Sequence, residues 1–346
     1  MTYPVTDFRG LRRPGALPAV AAVPASWLFA LGACIHHGLH DRGLLPCRAL
    51  GRVPVVSVGA LSAGGAGKTP VTRWLAARLQ ERGRRPAVLT RGYRGTGGPA
   101  PRIVDPGDPD ARRDGDEPAL LALTLPGVPV VVAPNRAAGA ALAQERGADV
   151  LVLDDGFQHR RLARHVDVVL WDRAAESARG RLLPRGPLRE RAAALRRADV
   201  VVLVDRGEGA PALPADGPGP ERAFRARLVP FARQRIDAGR AVHALSGIAD
   251  AESFERSLAA LGLRVTGATR FEDHHAFSTQ EVRDAADRAA REGADFLAVT
   301  AKDHVRWPRG EGSWLPVPAV LDLDVEVDEG DRLVRTVVSL WEEAGA

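Results

Sequence analysis

Apolar positions recur along the first two thirds of the chain in short β-branched runs, at 53–58, 87–90, 128–133, 150–154, 166–171 and 200–205. Several are apolar throughout rather than alternating, the pattern of parallel strands covered on both faces. After the first run the period becomes helical: Val71, Trp74, Leu75 and Leu79 share one face, and Gly83 supplies a stop. This alternation predicts a doubly wound α/β domain with a parallel sheet, spanning 49–205. The stretch RGEGAPALPADGPGP at 206–220 then breaks the pattern, and 206–240 reads as a Gly/Pro-rich linker with connecting strands. A second, smaller α/β unit follows over 241–346, with strands near 242–245, 265–268, 296–300 and 317–323. One of its helices opens with the capping box Ser278-Thr-Gln-Glu281 and ends before Gly293.

The run from Ser62 to Thr69 (Ser62, Ala63, Gly64, Gly65, Ala66, Gly67, Lys68, Thr69) lies between a strand and a helix, the context a Walker A loop requires. Its glycines let successive backbone N–H groups turn inward toward phosphate oxygens, and the helix start adds a positive dipole end. Lys68 would bridge the β- and γ-phosphates of ATP, and Thr69 would hold Mg²⁺ through its hydroxyl. Asp154 and Asp155, closing a fully apolar strand, supply the carboxylates such a metal needs.

Composition adds a detail and removes some classes. Of the 48 Lys and Arg residues two are lysine, Lys68 and Lys302, leaving 46 arginines against 43 Asp and Glu. A surviving lysine in so arginine-rich a chain marks a place where a planar guanidinium is a poor substitute for a compact cation. The 45% hydrophobic content excludes a disordered chain, and two cysteines exclude a disulfide scaffold. Arginines are spread along the chain without a basic tail or an aromatic-laced stripe, so no nucleic-acid partner is expected.

Residues 14–40 carry no Asp, Glu, Lys or Arg. Pro18 and Pro24 interrupt this apolar segment, so the expected helix is 25–35, too short to cross a ~30 Å hydrocarbon core. Three readings remain open. The segment is a buried core helix, or a signal peptide with Arg9, Arg12 and Arg13 as its basic region, or an interfacial anchor dipping Trp27, Leu28, Phe29 and Leu31 into a leaflet. Export conflicts with a site built for cytosolic ATP.

Asp154-Asp-Gly-Phe-Gln-His-Arg-Arg-Leu162 and Leu183-Pro-Arg-Gly-Pro-Leu-Arg-Glu190 narrow the acceptor. With the Walker loop, Thr90-Arg-Gly-Tyr-Arg-Gly95, Gly115-Asp-Glu-Pro118, Asp273-His274 and Thr300-Ala-Lys-Asp303, they make the chain resemble the tetraacyldisaccharide 4′-kinase (lipid A 4′-kinase) family, in order from about Trp27 to Trp307. The resemblance implies a two-domain α/β/α kinase at the cytoplasmic face of a Gram-negative inner membrane. It would transfer the γ-phosphoryl of ATP, with Mg²⁺, to the 4′-hydroxyl of a tetraacylated glucosamine disaccharide 1-phosphate. It also implies a membrane-associating segment, here 1–48.

On the same resemblance Asp116 takes or orients the acceptor proton and His274 pairs with it from the second unit. Read locally, Asp116 is an ordinary helix N-cap before Glu117-Pro118. His159 and Glu190 would border the nucleotide pocket, and Arg91, Arg94, Arg136 and Arg189 are candidates for phosphate contacts, with Glu117 beside them. Ala60, Arg185 and Ala301 depart from the family's usual Asn, small residue and Glu without removing a chemical group. Lys302 is either a structural ion pair with Asp303 or another carboxylate, or a residue facing the site. A P-loop ATPase working as a partner-binding switch is the alternative function; it needs no acceptor-activating pair.

Overall fold

The structure, a computed structural model, describes residues 3–8, 19–51, 53–308 and 316–345. Arg9, Arg12, Arg13 and Pro18 lie outside the described residues. The amino-terminal half runs β1 (Val5–Asp7), α1 (Ala19–Asp41), β2 (Val55–Ala60), α2 (Lys68–Glu81), β3 (Pro86–Thr90), β4 (Arg102–Ile103), α3 (Ala111–Asp114), α4 (Asp116–Thr124), β5 (Val130–Val132), α5 (Arg136–Glu145), β6 (Val150–Asp154), β7 (Val166–Asp172), α6 (Arg173–Ser177) and β8 (Val200–Asp205). The remainder runs β9 (Ala223–Ala232), β10 (Ala241–Ser246), α7 (Ala251–Ala260), β11 (Arg264–Arg270), α8 (Thr279–Arg291), β12 (Phe296–Thr300), α9 (Ala301–His304), β13 (Ala319–Val327) and α10 (Gly330–Glu343).

All thirteen strands join one sheet in the order β1-β11-β10-β12-β13-β9-β8-β7-β2-β6-β3-β5-β4. Every pair is parallel except β13 with β9 and β4 with β5. The largely apolar runs at β2, β3, β6 and β7 are buried along their whole length, which is why they read as near-continuous rather than alternating. Successive connections leave β2 toward β3 on one side and arrive from β6 to β7 on the other. The crevice at the carboxyl ends of β2 and β6 is therefore a topological switch point, where open α/β sheets bind ligands.

β9 is the connecting strand between the halves, pairing with β8 on one side and β13 on the other. It alternates: Phe224, Ala226 and Leu228 are buried and Arg225 and Arg227 exposed. The buried face of α10 (Leu333, Val334, Val337, Trp341) belongs to the same cluster as Val56, Val71, Leu75 and Leu79 of the amino-terminal half.

The amino-terminal helix differs from expectation. It runs through Pro24 and on past residue 35 to Asp41. Pro24 sits in its second turn and can forfeit only its own ladder bond, which the continuing helix tolerates. Its carboxyl end is extended by tertiary contacts: the Arg160 guanidinium donates to the His37 carbonyl at 3.2 Å and to Asp41 at 2.6 Å. Among the described residues no helix is long and apolar enough to cross a membrane.

Candidate active site

β2 delivers the chain into the Walker loop, and α2 begins at Lys68 with Gly67 as its N-cap at φ 87°. Gly64 lies at φ 109°, so both positions need a residue without a Cβ. The loop is held from behind: the Ala63 N–H donates to the Pro187 carbonyl at 2.7 Å and the Arg189 N–H to the Leu61 carbonyl at 2.7 Å. Ser62 and Leu188 form a bridge between the two segments. This gives the 183–190 motif a mechanical role as the buttress of the loop.

Lys68 points back over the loop, donating to the Gly64 carbonyl at 3.2 Å and standing 3.7 Å from Asp155. At the end of β6, Asp154 accepts from Thr69 at 3.4 Å and from Thr72 at 2.9 Å. Burial, with the nearby Glu117 and Asp155 carboxylates, pushes the Asp154 carboxyl up to about 7. Asp155, at φ 53°, turns outward and accepts two bonds from Arg189, at 2.9 and 2.8 Å. Thr72 is a site residue that the loop motif does not contain; its position one turn after Lys68 was the available signal.

Gln158 closes the floor of this region, donating to the Ala60 carbonyl and to Glu190, each at 3.0 Å. Glu190 also takes Arg197 at 2.7 Å and His37 of α1 at 3.1 Å. Burial, followed by the Arg136 and Arg164 guanidiniums, pushes the His159 imidazole down to about 4, so it is a neutral group near pH 7. Arg136 opens α5 beside the cap Asn135, is 3% exposed and donates to the Ala133 carbonyl at 2.7 Å. Arg91 is exposed just beyond β3.

From the other half comes the loop after β11. His274, at φ 66°, brings Nδ1 to 2.7 Å from Oδ2 of Asp116. Gly115 is the N-cap of α4 and Asp116 its first residue, so the ordinary capping role is not the one Asp116 plays. Arg94 reaches the same loop, donating to the Asp273 carbonyl at 3.2 Å. Glu117 meets Lys302 at 2.9 Å, and the ammonium holds the carboxyl below its usual range against the opposing effect of burial. Lys302 thus pairs with a carboxylate other than Asp303, and does so beside Asp116. The structure brings the loop, Asp154, Asp155, Asp116, Glu117, His274 and Arg189 into one region; Arg91 makes no bond that defines its place there.

The switch-point loop, its lysine and the strand-end aspartate define a P-loop NTPase-like protein. The sequence matches the Tetraacyldisaccharide-1-P 4′-kinase family over residues 19–339. The chain is 45% identical over 317 residues to a tetraacyldisaccharide 4′-kinase of Anaeromyxobacter dehalogenans (strain 2CP-C), covering 85% of this chain and 83% of that one. It is 36% identical to that of Halorhodospira halophila (strain DSM 244 / SL1), over 94% and 93% of the two chains. A crystal structure of LpxK from Aquifex aeolicus in complex with ATP superposes with a TM-score of 0.75 at 29% identity, covering 93% of this chain and 99% of that one. The chain belongs to the tetraacyldisaccharide-1-P 4′-kinase family.

Proposed function

We infer that the chain is a tetraacyldisaccharide 4′-kinase, moving the γ-phosphoryl of ATP to the 4′-hydroxyl of a tetraacylated glucosamine disaccharide 1-phosphate in lipid A assembly. The observation that carries this reading is the Asp116–His274 pair at 2.7 Å beside the Walker loop. A switch ATPase has no use for a paired carboxylate and imidazole aimed at an acceptor alcohol. The phosphates of ATP rest on the N–H groups of 62–69, with Lys68 bridging the β- and γ-phosphates. The acceptor proton passes to Asp116 as the hydroxyl oxygen bonds to the γ-phosphorus and the bond to the ADP oxygen breaks. His274 presents Nδ1–H to the same carboxylate and keeps it oriented.

The donor set of Thr69, Asp154 and Asp155 is all oxygen and suits Mg²⁺, which would neutralise charge on the β- and γ-phosphate oxygens. Arg94, Arg136 and Arg189 are assigned to phosphate groups of ATP or the acceptor.

The acceptor is a lipid, so the enzyme would work as a peripheral protein at the cytoplasmic face of a Gram-negative inner membrane, with α1 in the interface and no nucleic-acid partner. The decisive assay incubates protein with Mg-ATP and the disaccharide 1-phosphate in detergent micelles. Lys68→Ala and Asp116→Ala are each expected to lower kcat by at least ~100-fold with the fold intact. Normal turnover by Asp116→Ala would overturn the base assignment.

A further inference from the structure

The Thr300-Ala-Lys-Asp303 motif has no part in the chemistry derived so far, yet it lies against the pair that does. Thr300 caps α9, its hydroxyl accepting from the Asp303 N–H at 3.0 Å and donating to the Asp303 carboxylate at 2.7 Å. Asp303 is fully buried, and its other oxygen accepts from the Gly247 N–H at 3.0 Å and from Arg306 at 2.6 Å. Arg306 also donates to the Gly247 carbonyl at 3.0 Å, the same carbonyl that accepts from the His274 N–H at 2.9 Å. A Cβ on Gly247 would come within 3.1 Å of His275 and 3.3 Å of Asp303, so a larger residue there would press on this network by a few tenths of an ångström.

This network ends on the two consecutive carboxylates of α4. Lys302 takes Glu117 at 2.9 Å, and Arg306, four residues on, brings Nε to 3.5 Å from Oδ2 of Asp116. His274 contacts the same oxygen at 2.7 Å. Both side chains that approach Asp116 therefore lie on the side of its Oδ2. Asp116 and Glu117 are adjacent like charges, and Glu117 also acts on Asp154; two cations one turn apart stand against the two carboxylates. The Arg306 side chain is 5% exposed and tied at three points, so the contact it makes is set by the fold.

We propose that α9 and the turn after it form a positioning clamp for the phosphoryl transfer, with Lys302 orienting Glu117 and Arg306 orienting Asp116 toward the acceptor. The clamp rests on the kinase reading above and assigns work to residues that reading leaves idle. It also gives the second lysine a reason to be lysine: a compact ammonium reaches one carboxylate without the fork that would engage both.

The test compares Lys302→Met, Lys302→Arg, Arg306→Gln and Arg306→Lys with wild type in the micelle assay. Lys302→Met is expected to lower kcat tenfold or more, with KM for ATP within twofold and an unchanged melting temperature, and Lys302→Arg to recover part of the loss. In a Glu117→Gln background, Lys302→Met should add nothing further. Arg306→Lys should retain more kcat than Arg306→Gln; if the glutamine variant fails to fold, the lysine variant and the Lys302 cycle decide. Unchanged kcat in Lys302→Met, or losses that simply multiply in the double variant, would overturn the clamp. Wild-type protein that makes no phosphorylated lipid would instead overturn the kinase reading itself, so the two failures are distinct.

Discussion

Single side chains hold the strand that feeds the Walker loop. His165 receives the Val55 N–H on Nδ1 at 2.9 Å while its own N–H donates to the Val55 carbonyl at 2.8 Å, so it closes both backbone bonds of the first residue of β2. Accepting at Nδ1 requires a neutral ring, and burial lowers the imidazole below its ordinary value. A histidine whose folded value is depressed contributes stability that is fully present above about 6.5, the unfolded value, and is lost as pH falls below it. Protonation turns Nδ1 into a donor facing another donor. His165→Ala should therefore lower the melting temperature by about 1–3 °C near pH 7.5, from roughly 1–2 kcal/mol of lost hydrogen bonding. The gap to wild type should narrow toward pH 5. Thermal scans across that range check it, and a constant gap would show that the ring's protonation state is immaterial. Nothing in the local sequence marks His165 for this role, because its partner is 110 positions away. The Walker loop was legible for the opposite reason, since its chemistry is local: a strand, three glycines, a lysine and a hydroxyl in one turn of chain. Asp116, Lys302 and Arg306 carry no such local signature, and the family resemblance, not spacing, pointed to the first of them.

At the level of elements, legibility followed burial. Strands covered on both faces gave unbroken apolar runs, and β6, β8 and β12 fall where those runs predict. The short strands β1 and β4 at the two ends of the sheet gave none that could be told from loop, and the alternating β9 fell in the segment read as linker with connecting strands, without bounds of its own. Helix α1 was legible as apolar but not in extent, because contacts from Arg160 and Glu190 lengthen it. Its two faces differ. Ser26 is buried, donating to the Leu182 carbonyl at 2.9 Å and accepting from the Arg185 N–H at 3.1 Å, and Ala30 and His37 follow on the same side. Trp27, Leu28, Leu31 and Ile35 look outward, with Trp27 73% and Leu28 72% exposed. An outward apolar stripe on a helix pinned to the kinase core suits a leaflet surface better than water. Trp27→Ser with Leu31→Ser should weaken co-sedimentation with anionic phospholipid vesicles by at least ~10-fold, since roughly 2 kcal/mol or more of apolar burial is removed. Turnover of acceptor dispersed in detergent should stay near wild type. Equal vesicle binding by the double variant would argue that α1 meets protein rather than lipid.

At the scale of the whole molecule the two halves are less separable than a linker of Gly and Pro suggests. β9 continues the sheet from β8 into β13, and the site spans the join through Asp116–His274 and Glu117–Lys302. The last helix, far from the Walker loop in sequence, packs Leu333, Val334, Val337 and Trp341 into the core that also holds Leu75 and Leu79 of α2. Trp341 is 2% exposed there, with the Arg84 guanidinium 5.7 Å from its ring. Truncating it removes a large apolar contact from the core that also holds α2, the helix that follows the Walker loop, so its effect should reach both halves. Trp341→Ala is expected to cost about 3–5 kcal/mol, a fall of roughly 5 °C in melting temperature for a chain of this length. Calorimetry should show one transition in wild type and variant alike, shifted upward as a whole by saturating Mg-ATP. Two transitions, of which nucleotide moves only one, would mean that the shared sheet and the buried face of α10 do not couple the halves, and that each folds as its own unit.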